Sequence, residues 1–497
     1  VRPRKNGAGA VETSGSSADV ASSRRPAVLI VGLSLVVLTV AVLQTAVIPV
    51  LGVIATQLSV SAVGVSWAVT ANLLAAIAAT PLIGRLADMY SKKRVLLVVL
   101  AVVLAGSVLA ATTTSLPLLI LARVLQGASF ALYPVSVAVL REQLPAARLV
   151  SAMTVMSGTL GFGGGVGLVV TGLLMAGDAG YHRVFWLTTA FTVVVIVVVI
   201  AVVPARAGAS GGTVDWLGAA GLAAGLSAAL LAVTQGNSWG WASPWTLAAA
   251  ALGVAMLVGW WCWERRISQP LVSTRMLARR PILLINLATA FVGMGLYFAF
   301  LGVTQFVQAP TAAGYGFGAS VLAASVVFLL PGALTGFLVA LISGRFIDRF
   351  GARPVLVAAA VAGIVGFAML AGAHTHSWQV IVAGMLANAY ISLGYGALPA
   401  LIVREVEPGE TGVATSMNAI ARTIGSSTAA AVVAVLLSHP VRLTGLPAES
   451  GFVATFWAGA ATAGLALILI ALSRTGRRRA DDDAARTDSR AMNHEWG

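Results

Sequence analysis

The amino-acid sequence predicts an all-α polytopic membrane protein with fourteen transmembrane helices, built as two six-helix bundles plus two inserted helices. Three observations carry this. Of 497 residues, 58% are hydrophobic and 10% charged, with a mean hydropathy of +0.93, a balance that soluble domains do not show. The apolar residues fall into runs of roughly 20, the length a helix needs to cross a bilayer, separated by short polar breaks. Finally, the polar island Gly84-Arg85-Leu86-Ala87-Asp88-Met89-Tyr90-Ser91-Lys92-Lys93-Arg94 has an echo at Gly344-Arg345-Phe346-Ile347-Asp348-Arg349-Phe350-Gly351-Ala352-Arg353, at an offset of 260 (344 − 84).

Residues 1–26 are rich in Ser, Ala, Gly and Arg and read as a disordered cytoplasmic tail. They are not a secretory signal, because the apolar stretch that follows continues for a full span without a small-residue cleavage site. Spans are expected near 27–50, 63–84, 95–114, 117–140, 151–176 and 184–203, which make a first bundle of residues 27–203. Residues 204–280 hold two inserted spans, near 215–234 and 244–264. The second bundle, residues 281–473, holds spans near 281–307, 320–344, 354–373, 377–403, 413–438 and 451–473, and residues 474–497 form a second cytoplasmic tail.

Charge sets the orientation. With the N-terminus inside, Arg141, Arg148, Arg206, the stretch from Arg265 to Arg280, Arg345 to Arg353 and Arg404 fall on the cytoplasmic side, while Arg183 and Arg442 face outward. The net charge of +14 is therefore a topology signal and not a nucleic-acid footprint. Trp239, Trp241 and Trp245 mark the outer headgroup level and Trp260, Trp261 and Trp263 the inner one. Cys262 is the sole cysteine, which excludes an internal disulfide framework and a thiolate metal cluster. None of Lys5, Lys92 and Lys93 lies in a phosphate loop, so ATP is not the expected fuel.

The repeat locates the function. The first island follows span two and its copy follows span ten, so eight spans separate them, and two homologous six-span halves flank an inserted pair. A second correspondence agrees, because Arg123 precedes Pro134 by eleven residues in span four and Asn388 precedes Pro399 by eleven in span twelve. Duplicated halves facing one another are the build of a secondary transporter with its substrate site near the bilayer midplane.

These residues resemble the major facilitator superfamily, and its fourteen-helix drug:proton antiporter branch in particular. Gly84, Arg85, Leu86, Ala87, Asp88, Lys92, Lys93 and Arg94 match the superfamily's loop between helices two and three, with Ser91 where a Gly is usual. Leu121-Ala-Arg123-Val-Leu-Gln126-Gly127 is similar to its helix-four motif, whose Arg is associated with proton transfer. Tyr181-His-Arg183-Val-Phe185-Trp186, Asp215-Trp216-Leu217-Gly218, and Asn418 with Arg422 add to the likeness, which runs from about Leu38 to Leu472. The resemblance implies proton-coupled efflux of drugs or amphiphilic natural products across the plasma membrane, by a monomer with no cofactor. Two departures weaken the export inference. The helix-five motif lacks its Pro and one Gly, reading Gly167-Leu168-Val-Val-Thr171-Gly172, although Gly161, Gly163, Gly164 and Gly165 keep a small-residue face. The helix-one carboxylate is missing from Leu43-Gln44-Thr45-Ala46-Val47.

Candidate residues follow. Gly84, Arg85, Asp88 and Arg94, with Gly344, Arg345, Asp348 and Arg353 in the second half, are expected to latch the cytoplasmic face through charged contacts between helix ends. Arg123, Gln126, Asn418, Arg422 and Asp215 are candidates for coupling to protons or substrate; Glu142 is a further proton candidate. Gln44, Thr45, Asn72, Tyr133, Asn286, Tyr297, Gln305, Asn388, Tyr390 and Tyr395 are candidate cavity-lining residues, and Gly161, Gly164, Gly167 and Gly172 candidate packing positions of helix five. The acids and histidines all fall at span ends, in loops or in tails, which leaves Arg123 and Arg422 as the intramembrane charges. Each either braces helices through backbone carbonyls or lines the cavity. His374 and His376 have metal-like spacing but no third ligand nearby. The other readings are export or facilitation of a specific metabolite or lipid, and a membrane-embedded ligand sensor or scaffold; no enzyme constellation is present. A cavity with positive fixed charge disfavours lipophilic cations, so neutral and anionic amphiphiles are expected to outperform quaternary ammonium compounds. Strong ethidium export with Arg123 and Arg422 intact would count against this.

Overall fold

The computed structural model describes residues 15–60, 62–175, 180–205, 215–267, 270–437 and 447–473. Fourteen of its helices are long and apolar enough to cross a membrane: α1 (Pro26–Thr45), α2 (Trp67–Met89), α3 (Lys92–Thr112), α4 (Leu116–Gln143), α5 (Ser151–Leu174), α6 (His182–Val202), α7 (Trp216–Trp239), α8 (Pro244–Glu264), α9 (Arg280–Gln308), α10 (Ala324–Ile347), α11 (Ala352–Gly372), α12 (Ser377–Glu405), α13 (Thr411–Leu436) and α14 (Glu449–Leu472). The turns α2–α3, α4–α5, α10–α11 and α12–α13 share one end of the molecule, called here the basic face.

Local chemistry sets the helix boundaries. The Asp215 side chain accepts from Gly218 N–H at 2.9 Å to open α7, and Ser243 accepts from Thr246 N–H at 3.2 Å ahead of Pro244 to open α8. Gly351, at φ +83°, makes the turn from α10 to α11, a backbone that side-chain-bearing residues rarely adopt. Two boundaries differ from expectation. The polar islands are not loops: Gly84, Arg85 and Asp88 lie in the last turns of α2, and the helix of α10 runs on to Phe350, because Arg, Leu, Ala, Asp and Phe all continue a helix until Ser91 or Gly351 ends it. The helix of α1 is described from Gly15, so part of the expected tail of residues 1–26 is helical, with Pro26 inside it. Residues 474–497 lie outside the described residues.

α1–α6 pack into one bundle and α9–α14 into a second, which meet where α5 faces α10 and α12 and α2 faces α13. α7 packs against α2 and α13 and so spans the seam, with Gln235 Nε2 donating to Thr70 Oγ1 at 3.3 Å, and α8 packs on α7. Gly253 lies against the Ala229 backbone and Gly225 against Leu257, which brings these two helices close.

The halves are related by a pseudo-two-fold visible in two glycines. A methyl on Gly84 would collide with Ser416, and one on Gly344 with Ser151. The full helices of α5 and α13 run Ala146–Leu174 and Thr411–Leu436, so Ser151 and Ser416 each lie five residues past the first residue (151 − 146 and 416 − 411). The two islands therefore make the same contact, each with the opposite bundle.

With the exposed Cys262 replaced by Ser, cysteines at the exposed positions Tyr90 and Phe350 are expected to react with an impermeant maleimide from one side only, and a cysteine at the exposed Trp245 from the other. Labelling of positions 90 and 350 from opposite sides would dismantle this topology.

Candidate functional site

Asp88 stands at the C-terminal end of its own helix, where the backbone dipole disfavours an anion. Its carboxylate, 6% exposed, reaches across the seam to the first turn of α13 and accepts from Gly412 N–H at 2.8 Å and Val413 N–H at 3.0 Å. It thus fills backbone donors that the start of α13 leaves free. Charge-assisted bonds of this kind contribute on the order of 1.5–3 kcal/mol each. Gly84, one turn earlier, lets α2 approach closely enough, since a methyl there would also meet Gly412 O at 2.8 Å.

The expected partners differ. Arg94 is exposed, and Arg85 Nε is buried without a hydrogen-bond partner among the described residues, so the hydrogen bonds that Asp88 accepts across the seam come from a helix terminus and not from its neighbouring arginines. Lys92 pairs with Glu142 instead. In the second half, Gly344 meets Ser151, Arg345 is exposed and Arg353 donates to Ala471 O within its own bundle; the Asp348 side chain lies outside the described residues. A further clasp was not foreseen: Arg141, at the end of α4, donates to Val406 O at 2.8 Å, Glu407 O at 3.2 Å and the Thr411 hydroxyl.

Nearer mid-membrane, Tyr133 OH and Ser157 Oγ lie 2.8 Å apart and both reach Tyr395 O of the other bundle, at 3.3 Å and 2.9 Å. Next to this group and away from the basic face, a cavity of about 130 Å³ lies between the bundles, lined from α1, α2, α4, α5, α9, α10, α12 and α13. Of the candidate lining residues, Gln44, Thr45, Tyr297, Asn388 and Tyr395 contribute to it, together with Arg422 and, from helix five, Gly161 and Gly164.

The other candidates are placed elsewhere, for physical reasons. Arg123 does not line the cavity. It is 2% exposed inside the first bundle, where Nε donates to Ala68 O at 3.2 Å and Nη1 to Leu43 O at 3.3 Å and to Gln126 Oε1. Gln126 passes the chain on to Ser107 Oγ at 3.0 Å, and Asn72 donates to Arg123 O at 2.9 Å. This is a brace for α1, α2, α3 and α4. Asn418 binds Asn286 Oδ1 at 2.9 Å and Thr289 Oγ1 at 2.8 Å, which locks α13 to α9. Tyr390 is buried in the second bundle against Gly363, and Gln305 is exposed. Asp215 caps α7 and accepts from Trp263 Nε1 at 3.0 Å, far from the cavity lining. Gly167 packs on Thr45, and Gly172 faces Leu322. Among the described residues no group of three or more His, Cys, Asp or Glu could hold a metal ion.

Two pseudo-symmetric helical bundles around a mid-membrane cavity, sealed toward one face by helix-end contacts, define a secondary-transporter architecture. The Major Facilitator Superfamily profile matches residues 33–336 and 290–492, and the chain belongs to that family. It is 26% identical over 363 residues to the uridine/deoxyuridine transporter of Lactococcus lactis, covering 70% of this chain and 73% of that one. It is 27% identical over 405 residues to the tetracenomycin C resistance and export protein of Streptomyces glaucescens, covering 78% and 71%. The chain spans 56% of the length of two uncharacterized MFS-type transporters of Mycobacterium tuberculosis. Among solved structures, the proton:xylose symporter XylE superposes with a TM-score of 0.65 at 12% identity, over 91% of this chain and 97% of that one.

Asp88→Asn keeps one acceptor but loses the charge. It is expected to weaken closure of the basic face by about 1 kcal/mol, read as faster labelling of a cysteine at Ser157 from that face. Gly84→Leu, which forces α2 from α13, should do so more strongly. Labelling rates equal to the parent in both variants would rule out a latch.

Proposed function

We propose that this superfamily transporter exports amphiphilic small molecules from the cytoplasm, with the basic face cytoplasmic and the bundles rocking about the central cavity. The observation that carries the proposal is the asymmetry of the seam: the hydrogen bonds from Asp88 and Arg141 tie the bundles at the basic face, while the cavity lies beyond Tyr133 and Tyr395 toward the opposite face. That arrangement suits an outward-facing state, which re-forms the inward-facing one when the helix-end contacts release. The apolar lining, with Leu73, Leu160, Phe300 and Phe328, suits an amphiphile, and the similarity to the resistance and export protein of Streptomyces glaucescens is in line with export. The nucleoside transporter among the relatives supports a second reading, in which the cargo is one specific metabolite.

Proton coupling is part of the proposal. No Asp, Glu or His is among the described residues that line the cavity, and we therefore infer a coupling site at the seam. A proton on Asp88 removes the charge that holds α13 and so favours opening of the basic face. Protons then act on the gate and not on the cargo.

In everted vesicles energised by respiration, a panel of neutral and anionic amphiphiles is expected to include at least one that accumulates, and nigericin, which collapses the pH difference, should abolish this. Accumulation of no panel member would sink export; accumulation that survives nigericin would sink proton coupling alone.

A further inference from the structure

Arg422 is the one charged residue among the described residues that line the cavity. It is 7% exposed, yet among the described residues neither a carboxylate nor a hydrogen-bond acceptor meets its guanidinium. Two aromatic faces hold it instead: Tyr133 of the first bundle, with its ring centroid at 5.4 Å, and Tyr395 of the second, at 4.8 Å. Rings attract the cation but do not satisfy its five N–H donors. Arg123, by contrast, has backbone carbonyls on Nε and Nη1, so the two intramembrane arginines are in chemically different states.

The seat is rigid. Gly293 lies directly over the Arg422 backbone, Gly425 lies against the Ala290 backbone, and Ser426 Oγ donates to Gly293 O at 3.2 Å. Asn418, one turn earlier, is fixed to α9. The cavity that Arg422 lines also presents apolar side chains, among them Leu160, Leu296, Val303 and Phe328. A fixed buried cation with unfilled planar donors beside apolar walls is complementary to a molecule with one anionic head and an apolar body. A second negative charge would find no cationic partner among the described lining residues, and a cationic cargo would be repelled.

Resting on the transporter reading above, we propose that Arg422 is the head-group site for amphiphilic monoanions, such as carboxylates on an aromatic or alkyl body. Because Tyr133 and Tyr395 approach the same guanidinium from different bundles, an anion on Arg422 binds at a charge inside the cavity that both halves touch.

The test uses the full chain, purified in lipid nanodiscs, with 2-naphthoate and its neutral isostere 2-naphthamide as probes in equilibrium dialysis against empty nanodiscs. Naphthoate is expected to bind about tenfold tighter than naphthamide or better, as a charge-assisted bond implies, and Arg422→Gln should bring it to the level of the amide. Arg422→Lys, which keeps the charge but loses the planar fork, should retain a preference reduced several-fold, and serves if the Gln variant does not fold. Equal binding of the two probes by the parent, no saturable naphthoate binding, or a preference unchanged in either variant overturns the proposal. Flux of both probes in proteoliposomes separates the two readings. Flux without anion preference removes the head-group site and leaves transport standing; preference without flux of either probe does the reverse.

Discussion

The proposed gating rests first on the bond between the Asp88 carboxylate and the first turn of α13, which ties the two bundles at the basic face. The carboxylate is badly placed with respect to its own helix and well placed with respect to its neighbour's, so its charge is stabilised only while the two bundles touch. A contact of that kind costs little to break when the chains separate, because water at the basic face rehydrates the acid and the freed N–H groups. It is strong when made and tolerable when lost, which is what a cycle between two arrangements requires. The Arg141 clasp on Val406 and Glu407 carbonyls works on the same terms, with a fixed cation on the carbonyls that follow a helix C-terminus.

The architecture was legible from sequence because hydropathy and the two islands are strong signals: run length and the 260-residue echo gave fourteen spans and the duplicated halves before any coordinates. The site was legible only in part. Asp88 could be singled out, but its partner could not, because the partner is a backbone and Gly412 carries no side chain to advertise it. Arg123 and Arg422 look alike in sequence, each an Arg in an apolar run, and only the packing shows that one is spent on carbonyls and the other faces the cavity. Pro408-Gly409-Glu410-Thr411, at the basic end of α13, was the available hint that a helix start lay there in need of a cap. Asn72 and Asn286 read as cavity polarity and Asn418 as a coupling residue, yet Asn72 and Asn418 spend donors within one bundle, the commoner fate of an amide in a membrane helix.

The inserted pair takes on a definite place in this picture. α7 lies on α2 and α13, the two helices joined by Asp88, and α8 rests on α7. Relative sliding of α2 and α13 must therefore be accommodated by α7, whose contact with α2 includes the single long Gln235–Thr70 bond at 3.3 Å. The pair rides on the outside of the seam, where it can follow the motion without entering the cavity. Asp215 accepts from Trp263 Nε1 at 3.0 Å and so ties α7 to α8 at the basic end.

The guanidinium of Arg422 also makes the carrier an electrical device. Arg422 is the one charged residue among the described residues that line the cavity, and a charge there feels the electrical potential of whichever compartment the cavity faces. A full charge moved through 100 mV is worth about 2.3 kcal/mol. An inside-negative membrane voltage therefore draws the empty carrier toward the inward-facing form, whereas neutralising the guanidinium removes this bias. On the export reading proposed above, that bias would return the emptied carrier to the form that loads its cargo.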